Sequence, residues 1–588
     1  MDLMEKKKQL LSQYRSGKMS VLQENKVLKH RAENEMVPLT FQQNRMWFIN
    51  KLIPGCIAYN IPMAIKIVGS LDIEAFEKAI NVLVERYDIL RTVFKDYDTY
   101  TVQVVVPELY VSVGYEALDG MSEADRREYI KEKMHHESLR PFDLENGPLI
   151  RVNIWRQNDN ENMALISVHH IIADTWTISM YLTELCRIYD MIVNNKPVAL
   201  EASEFQYADF ACWQNKYFTG EVLRKQMEFW SEQLKDAPTV IELPTDHQRM
   251  AIENFKGGLE KFAIPADLMK KINDLTAGYD VTLYMFLMSV FQLMMYRYTN
   301  QKDILVGTPI ANRTKREFEK IAGFFSNTVV IRGKISEEMR FTDFMYALKE
   351  NILNAFENQE MPFEKIVDEL KLERDMSVNP LFQVMFVLQN TPFPEVKAGD
   401  ITLEPLDFHN GTCKFDLWLS IIDCNSVMEC VMEYNSTIFE RSTILRMIKN
   451  YLKLLEEIVA DPEKKVTDYD IINDSEKQLI MHDWNNTQHD FGRSPYLHRL
   501  IEEAAQKYGD KTAVRFEGET LTYAELNKRA NQLARYIRSR VSGTENLIGV
   551  CLERSLEMVI ALTAIIKSGN AYVSLDPTLP EDRLLYMI

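Results

Sequence analysis

Two adjacent histidines, His169 and His170, end an apolar run in the stretch LISVHHIIADTW, and Asp174 follows four residues after the second. The whole chain holds only ten histidines. A neutral imidazole can accept a proton near pH 7, so the pair suits base chemistry. The short carboxylate beside it suits an ion pair with an arginine that would lock the loop. In MALISVHH the apolar period is that of a strand, whose successive side chains point to opposite faces. That predicts unequal surroundings, with one imidazole against packed structure and the other able to face a cleft. After Asp174, residues Ile178, Tyr181, Leu182, Leu185, Ile188 and Tyr189 follow a 3.6 period, so a helix should pack back. Asp174 then sits in a tight strand-to-helix connection. These residues alone leave a packed corner and an active site both open.

The elements around them form an alternating pattern. Segments such as YNIPMAIKIVGS read as strands. IEAFEKAINVLVERYDIL reads as an amphipathic helix with Phe76, Ile80, Val84 and Tyr87 on one stripe. The fold class is therefore α/β or α+β, and the stretch from 37 to 460 is too long for one ordinary core, which predicts two lobes. ADPEKKVTDYDIINDSEKQ is polar and reads as a linker. From about 495 a new unit begins, with Thr522 and Glu525 in capping-box spacing ahead of a helical face of Leu526, Ala530, Leu533 and Ile537.

Composition excludes several classes. The net charge of −18 argues against nucleic acid and against an anionic membrane as main partner. The most apolar segment, Leu283 to Tyr296, is too short to span a bilayer and reads as a buried core helix. Seven scattered cysteines (Cys56, Cys186, Cys212, Cys413, Cys424, Cys430 and Cys551) show no CxxC. They read as free thiols in a reducing cytosol, and no metal site is expected. Residues 1–36 differ from the rest. Within 1–31 eight Lys/Arg oppose three Asp/Glu, and two short helices are predicted. The segment reads either as a solvated helical hairpin or as a docking region for an acidic partner.

HHIIADT also stands within an ordered series of segments. PLTFQQNRMWF (Pro38 to Phe48), ERYDILRTVF (Glu85 to Phe94) and PFDLENGPLIR (Pro141 to Arg151) precede it. YADFACWQ (Tyr207 to Gln214), IAGFFSNTVVIR (Ile321 to Arg332), QEMPFEKIV (Gln359 to Val367) and RDMSVNPLFQVMF (Arg374 to Phe386) follow. Taken together, 37–460 resembles the condensation domain of non-ribosomal peptide synthetases, a relative of the chloramphenicol acetyltransferase fold, whose hallmark is HHxxxDG. Residues 495–588 resemble the start of an adenylation (AMP-binding) domain through LTYAEL and KSGNAYVSLDP, with Ser574 where the family usually has proline.

The resemblance implies a V-shaped pair of acetyltransferase-like lobes, 37–205 and 206–460, with a central tunnel. A linker, 461–494, and an incomplete adenylation domain, 495–588, would follow. It implies an enzyme that forms an amide between a donor acyl or peptidyl thioester and an acceptor aminoacyl thioester. Both would ride on the 4'-phosphopantetheine of carrier proteins, with no cofactor bound by the domain itself. His170 would sit at the tunnel centre, either deprotonating the attacking ammonium or holding the amine by a hydrogen bond. His169 would pack, and Asp174 would pair with an arginine, Arg313 first and Arg45 or Arg91 after it. Trp176, Asn327 and Thr328 would lie near the tunnel, while Trp47, Trp213 and Phe382 would pack the core. Thr175 replaces the family's glycine. A position needing positive φ would strain there by ~1–3 kcal/mol, and access to His170 could narrow. Other expected readings are a starter domain that attaches a fatty acyl group and a silent module that only binds carrier proteins. AYNIP and GFFSNT look most like members joining two L-configured residues. An upstream synthetase polypeptide could dock through 1–36. Adenylation by this polypeptide is not expected, because no glycine-rich phosphate loop occurs after 490.

Overall fold

A computed structural model describes residues 27–97, 100–371, 377–389, 396–423, 427–490 and 496–588. The chain forms two compact units, Met1–Asp474 and Ser475–Ile588, which divide inside the expected linker.

Two six-stranded mixed sheets organise the first unit. One runs, in spatial order, Val396–Ala398, Ile401–Leu406, Asn60–Val68, Glu161–His169, Ile150–Asn158 and Val113–Ala117. The other runs Asn327–Lys334, Asp303–Ile310, Val384–Gln389, Leu417–Asp423, Met428–Asn435 and Gly257–Ile264. Each carries helices over a separate large apolar core. In the first lobe, helix Ile73–Arg86 starts where Asp72 accepts the Ala75 N–H at 3.0 Å, and it buries Phe76, Ile80 and Val84 as its stripe predicts. In the second, helix Leu283–Thr299 is enclosed from Met285 to Tyr296. Its two polar interruptions bond inside the core: Ser289 donates to the Met285 carbonyl at 2.7 Å, and Gln292 donates to the Ile331 carbonyl at 3.1 Å while its Oε1 is enclosed without a partner. Among the described residues, no helix is long and apolar enough to cross a membrane.

The cores do not divide at 205/206. Helix Tyr207–Tyr217 packs into the first core through Tyr207, Phe210 and Trp213, and Phe318 to Phe325 enter the same core. Strands Val396–Ala398 and Ile401–Leu406 also belong to the first sheet, where Thr402 to Leu406 pair antiparallel with Val68 to Ala64. Ile401 and Leu403 turn inward at 1% and 4% exposure, so the apolar alternation of this late segment is met only on the early sheet. The two lobes are therefore stitched by segments that the later part of the chain lends to the first lobe.

Most of the basic N-terminal segment, residues 1–26, lies outside the described residues, as does Cys424. Residues 27–36 correct the helical expectation: they carry no helix and lie against the first lobe. Leu28 is buried there, and the Arg31 backbone N–H donates to Asp209 at 2.9 Å. In the second unit, helix Tyr523–Arg540 opens with the capping box, Thr522 Oγ1 accepting from Glu525 N at 3.2 Å and Glu525 accepting from Thr522 N at 2.9 Å. Strands Leu547–Val550 and Ala571–Ser574 pair in parallel around helix Leu556–Lys567, a βαβ unit.

Candidate active site

His169 closes strand Glu161–His169 opposite Asn60. Strand alternation fails one residue early: His170 already begins a 3-10 turn, His170–Ile172. The cause is the His169 ring, whose Nδ1 accepts the Ile171 backbone N–H at 3.1 Å and caps the turn. Buried at 2% exposure edge-on to Phe142, His169 is a packed, neutral imidazole. Burial, with the neighbouring His170, Lys414 and Arg151, pushes it down to about 3. A group lowered in the folded state contributes stability above its ordinary value and loses it as pH falls toward the folded value. Between about pH 6.5 and 3 only the unfolded chain protonates at this site. Replacing His169 with asparagine, which can still cap through Oδ1, should flatten the acid-side fall of unfolding free energy by up to one proton. That is about 1.4 kcal/mol per pH unit, read from urea midpoints across that window.

His170 is held by its backbone N–H, which donates to the Tyr59 carbonyl at 2.8 Å. Its ring is partly exposed and meets Phe324, from the crossing segment, at 4.7 Å between centroids. Nδ1 is enclosed and the ring bonds the backbone of His170 and Ala173, which leaves Nε2 as the nitrogen for an incoming group. Burial first and the Lys414 ammonium second push this imidazole down to about 3, so it is neutral across the physiological range.

Asp174 is 1% exposed and caps helix Thr175–Val193 by accepting from Thr177 N at 2.8 Å. Its other oxygen accepts from Phe325 N at 2.9 Å and Ser326 N at 3.2 Å, both on the segment that arrives from the second half of the chain. Arg313 reaches it at 3.3 Å, and both side chains are closed to solvent. The guanidinium also donates to Thr177 Oγ1 at 2.9 Å and to the carbonyls of Phe318 and Ile321. Thr177 Oγ1 in turn donates to the Gly323 carbonyl at 2.7 Å and accepts its N–H at 3.0 Å. Gly323 has φ +156°, and a Cβ there would overlap the Tyr207 ring, so conformation and space both require glycine. The other two arginines are engaged elsewhere, Arg91 with Asp88 at 2.8 Å and Arg45 with Asn379 at 3.3 Å.

Thr175 is the first residue of its helix, has no positive φ, and is exposed. The strain expected of a positive-φ position is absent. Replacing Thr175 with glycine should leave turnover within ~3-fold, because no transition-state contact is removed, and should cost stability by less than ~1 kcal/mol. Initial rates and thermal unfolding of the variant check this.

The residues expected near the tunnel separate. Trp176 is half-exposed, donates to the Glu319 carbonyl at 3.1 Å, and lies over Arg313 at 5.6 Å. Asn327 spends its side chain on the turn ahead of helix Phe363–Glu369. It donates to the carbonyls of Gln359 and Met361 at 2.9 and 2.7 Å and accepts from Phe363 N at 3.0 Å. Thr328 is partly buried within the second sheet opposite Pro309. Trp47, Trp213 and Phe382 are buried at 6, 8 and 2% exposure. Sequence reasoning missed Thr177 and Lys414. Thr177 had a signal, since it sits three residues after an N-capping aspartate; Lys414 had none.

Residues 33–481 match the family model of the condensation domain, and residues 501–588 match that of AMP-binding enzymes. A linear gramicidin synthase polypeptide of Brevibacillus parabrevis is 39% identical over 559 residues, covering 95% of this chain and 11% of the relative. Another linear gramicidin synthase polypeptide from the same organism is 40% identical over 555 residues, covering 94% of this chain and 11% of that relative. The chain thus spans about a tenth of the length of these curated relatives. A crystal structure of a four-domain nonribosomal peptide synthetase bound to AMP and glycine superposes with a TM-score of 0.80 at 23% identity. The match covers 95% of this chain and 43% of that one.

Proposed function

Because the chain belongs to the condensation-domain family of nonribosomal peptide synthetases, we propose that its first unit joins two carrier-bound groups through an amide. The donor is an acyl or peptidyl thioester and the acceptor an aminoacyl thioester, each on the phosphopantetheine arm of a carrier protein. The observation that carries this reading is His170: a neutral imidazole with one nitrogen left for a substrate, fixed beside a buried Asp174–Arg313 knot. The acceptor nitrogen forms a bond to the thioester carbonyl carbon, the carbon–sulfur bond breaks, and the amine proton ends on the departing sulfur.

The two roles open to His170 are separated by its basicity. General bases work best when their pKa lies near the working pH. An imidazole held at about 3 is a poor sink for an ammonium proton. It remains a good acceptor for an N–H, so holding the nucleophile is the favoured role. Alignment of two tethered reactants can itself supply roughly 7–11 kcal/mol of the barrier.

The test loads two carrier proteins with donor and acceptor groups, adds the full chain, and follows the acceptor carrier by intact mass. A mass gain equal to the donor acyl group, dependent on His170, is the expected result. Product with a fatty-acyl donor alone would make this a starter domain. Carrier binding without product for every pair would make it a binding module. Amino-acid-dependent pyrophosphate exchange by a polypeptide of these 588 residues would add an activity outside this proposal.

A further inference from the structure

One cation whose charge reaches His170 has no ion-pair partner among the described residues. Lys414 lies just ahead of strand Leu417–Asp423, and its carbonyl is pinned by Asn379 Nδ2 at 2.5 Å. Its Nζ stands 5.2 Å from the centre of the Tyr59 ring, on the residue whose carbonyl holds the His170 N–H. Among the described residues no carboxylate lies within ion-pair distance of it. Glu433, on strand Met428–Asn435, is the acid whose charge it feels, and that acid stands 3.5 Å from His409 Nε2. Arg45 of helix Phe41–Leu52 also acts on Lys414, Arg45 and Glu364 of helix Phe363–Glu369 act on Tyr59, and Arg151 acts on His169. Arg45 and Glu364 approach only to 4.0 Å, and Glu364 Oε2 is enclosed without a partner. Glu364 is thus turned to Arg45, Glu433 acts on Lys414 from beyond ion-pair distance, and Lys414 is the cation whose charge reaches His170.

A desolvated, unpaired ammonium destabilises a fold. It is retained where negative charge forms, because a fixed charge in a dry site stabilises a developing oxyanion far better than water does. In amide formation from a thioester, negative charge appears first on the carbonyl oxygen and then on the departing sulfur. Positive charge appears on the attacking nitrogen. A neutral acceptor of N–H and a cation are the two groups that such a zwitterion needs, and His170 and Lys414 are placed to supply them.

We propose that Lys414 is a second catalytic residue of the transfer, its ammonium facing the thioester oxygen and the leaving thiolate while His170 holds the nucleophile. Lys414 stays protonated throughout. The nitrogen–carbon bond forms as the carbonyl electrons move to oxygen, and their return breaks the carbon–sulfur bond. The proton lost by nitrogen is the one gained by sulfur. The inference rests on the amide-forming reading above. The Lys414 ammonium also opposes an ammonium nucleophile, so the acceptor amine is favoured in its reactive, neutral form.

The experiment compares wild type, Lys414→Met, Lys414→Arg and His170→Ala of the full chain in the two-carrier assay, with pH profiles and thermal unfolding. Lys414→Met should lower kcat by ~10²-fold, the loss typical of an oxyanion donor, with KM for either carrier within ~3-fold. It should unfold at the same or a higher temperature, because a desolvated charge is removed. Lys414→Arg should keep kcat within ~10-fold of wild type, since the charge survives. The wild-type rate should fall at alkaline pH, where lysine deprotonates, and that fall should be absent from Lys414→Arg. Turnover of Lys414→Met within ~3-fold of wild type, with His170→Ala inactive, would overturn the role of Lys414 and leave amide formation standing. Lys414→Arg as slow as Lys414→Met, with a wild-type rate that rises through alkaline pH, would make Lys414 a base and overturn the cation. Wild type inactive with every pair would sink both readings.

Discussion

Replacing His170 with alanine should slow carrier-to-carrier amide formation by ~10²–10³-fold, the size of a lost hydrogen bond to transition-state charge. Stability should hold. The ring is partly exposed and packs on Phe324, and its removal orphans no charged partner. Asparagine is the informative second variant. A side-chain amide can accept an N–H but cannot act as a base, so His170→Asn should recover part of the rate that alanine loses. Equal rates for the two variants would favour proton abstraction over holding. Alanine activity within ~3-fold of wild type would remove His170 from the chemistry. The rate should show no inflection near pH 6.5 that disappears with the imidazole, because burial and Lys414 have already moved that titration down to about 3.

Asp174→Ala should destabilise the first unit by ~3–5 kcal/mol, the usual loss when one partner of a buried pair is removed. The reason lies in the bonds it makes. Besides Arg313 the carboxylate accepts three backbone N–H groups, from Thr177, Phe325 and Ser326. Alanine would leave all three enclosed and unpaired. A simple buried ion pair can often be replaced whole by apolar residues at little cost. Here the double variant Asp174→Ala, Arg313→Met should recover only part of the loss, since the backbone donors stay orphaned. Denaturant midpoints of the two single variants and the double variant measure the coupling directly. Full recovery in the double variant would mean that the arginine, and not the crossing backbone, is what Asp174 serves.

Much of this site is legible in the sequence because it is local. The period of MALISVHH gives the strand, and the spacing after Asp174 gives the helix. An aspartate before such a helix is a capping residue, and the structure uses it so. The Asp174–Arg313 contact was reachable only through resemblance to a family, since nothing in local spacing joins residues so far apart. His170 shows the limit of periodicity: alternation predicted its different environment, but a side-chain cap from His169 turned the chain one residue sooner. Thr175 departs from the family's pattern without strain because the helix starts at it. The polar atoms of Asn327 are taken up by a turn that only tertiary packing creates, so its motif gave no sign of their partners. Lys414 stands in no motif, and its meaning comes from surroundings contributed by Tyr59, Arg45 and Glu433.

The late segments lent to the first lobe constrain how this protein can be taken apart. A cut at 205/206 would strip the first core of Tyr207, Phe210 and Trp213, and its sheet of the strands at 396–406. It would also separate Asp174 from the Phe325 and Ser326 amides that hold the histidine turn in place. A swap of one lobe for that of a relative therefore exchanges the wrong unit. Chimeras built to alter donor or acceptor choice should carry 207–217, 318–326 and 396–406 along with the early lobe, or transplant residues 27–474 whole.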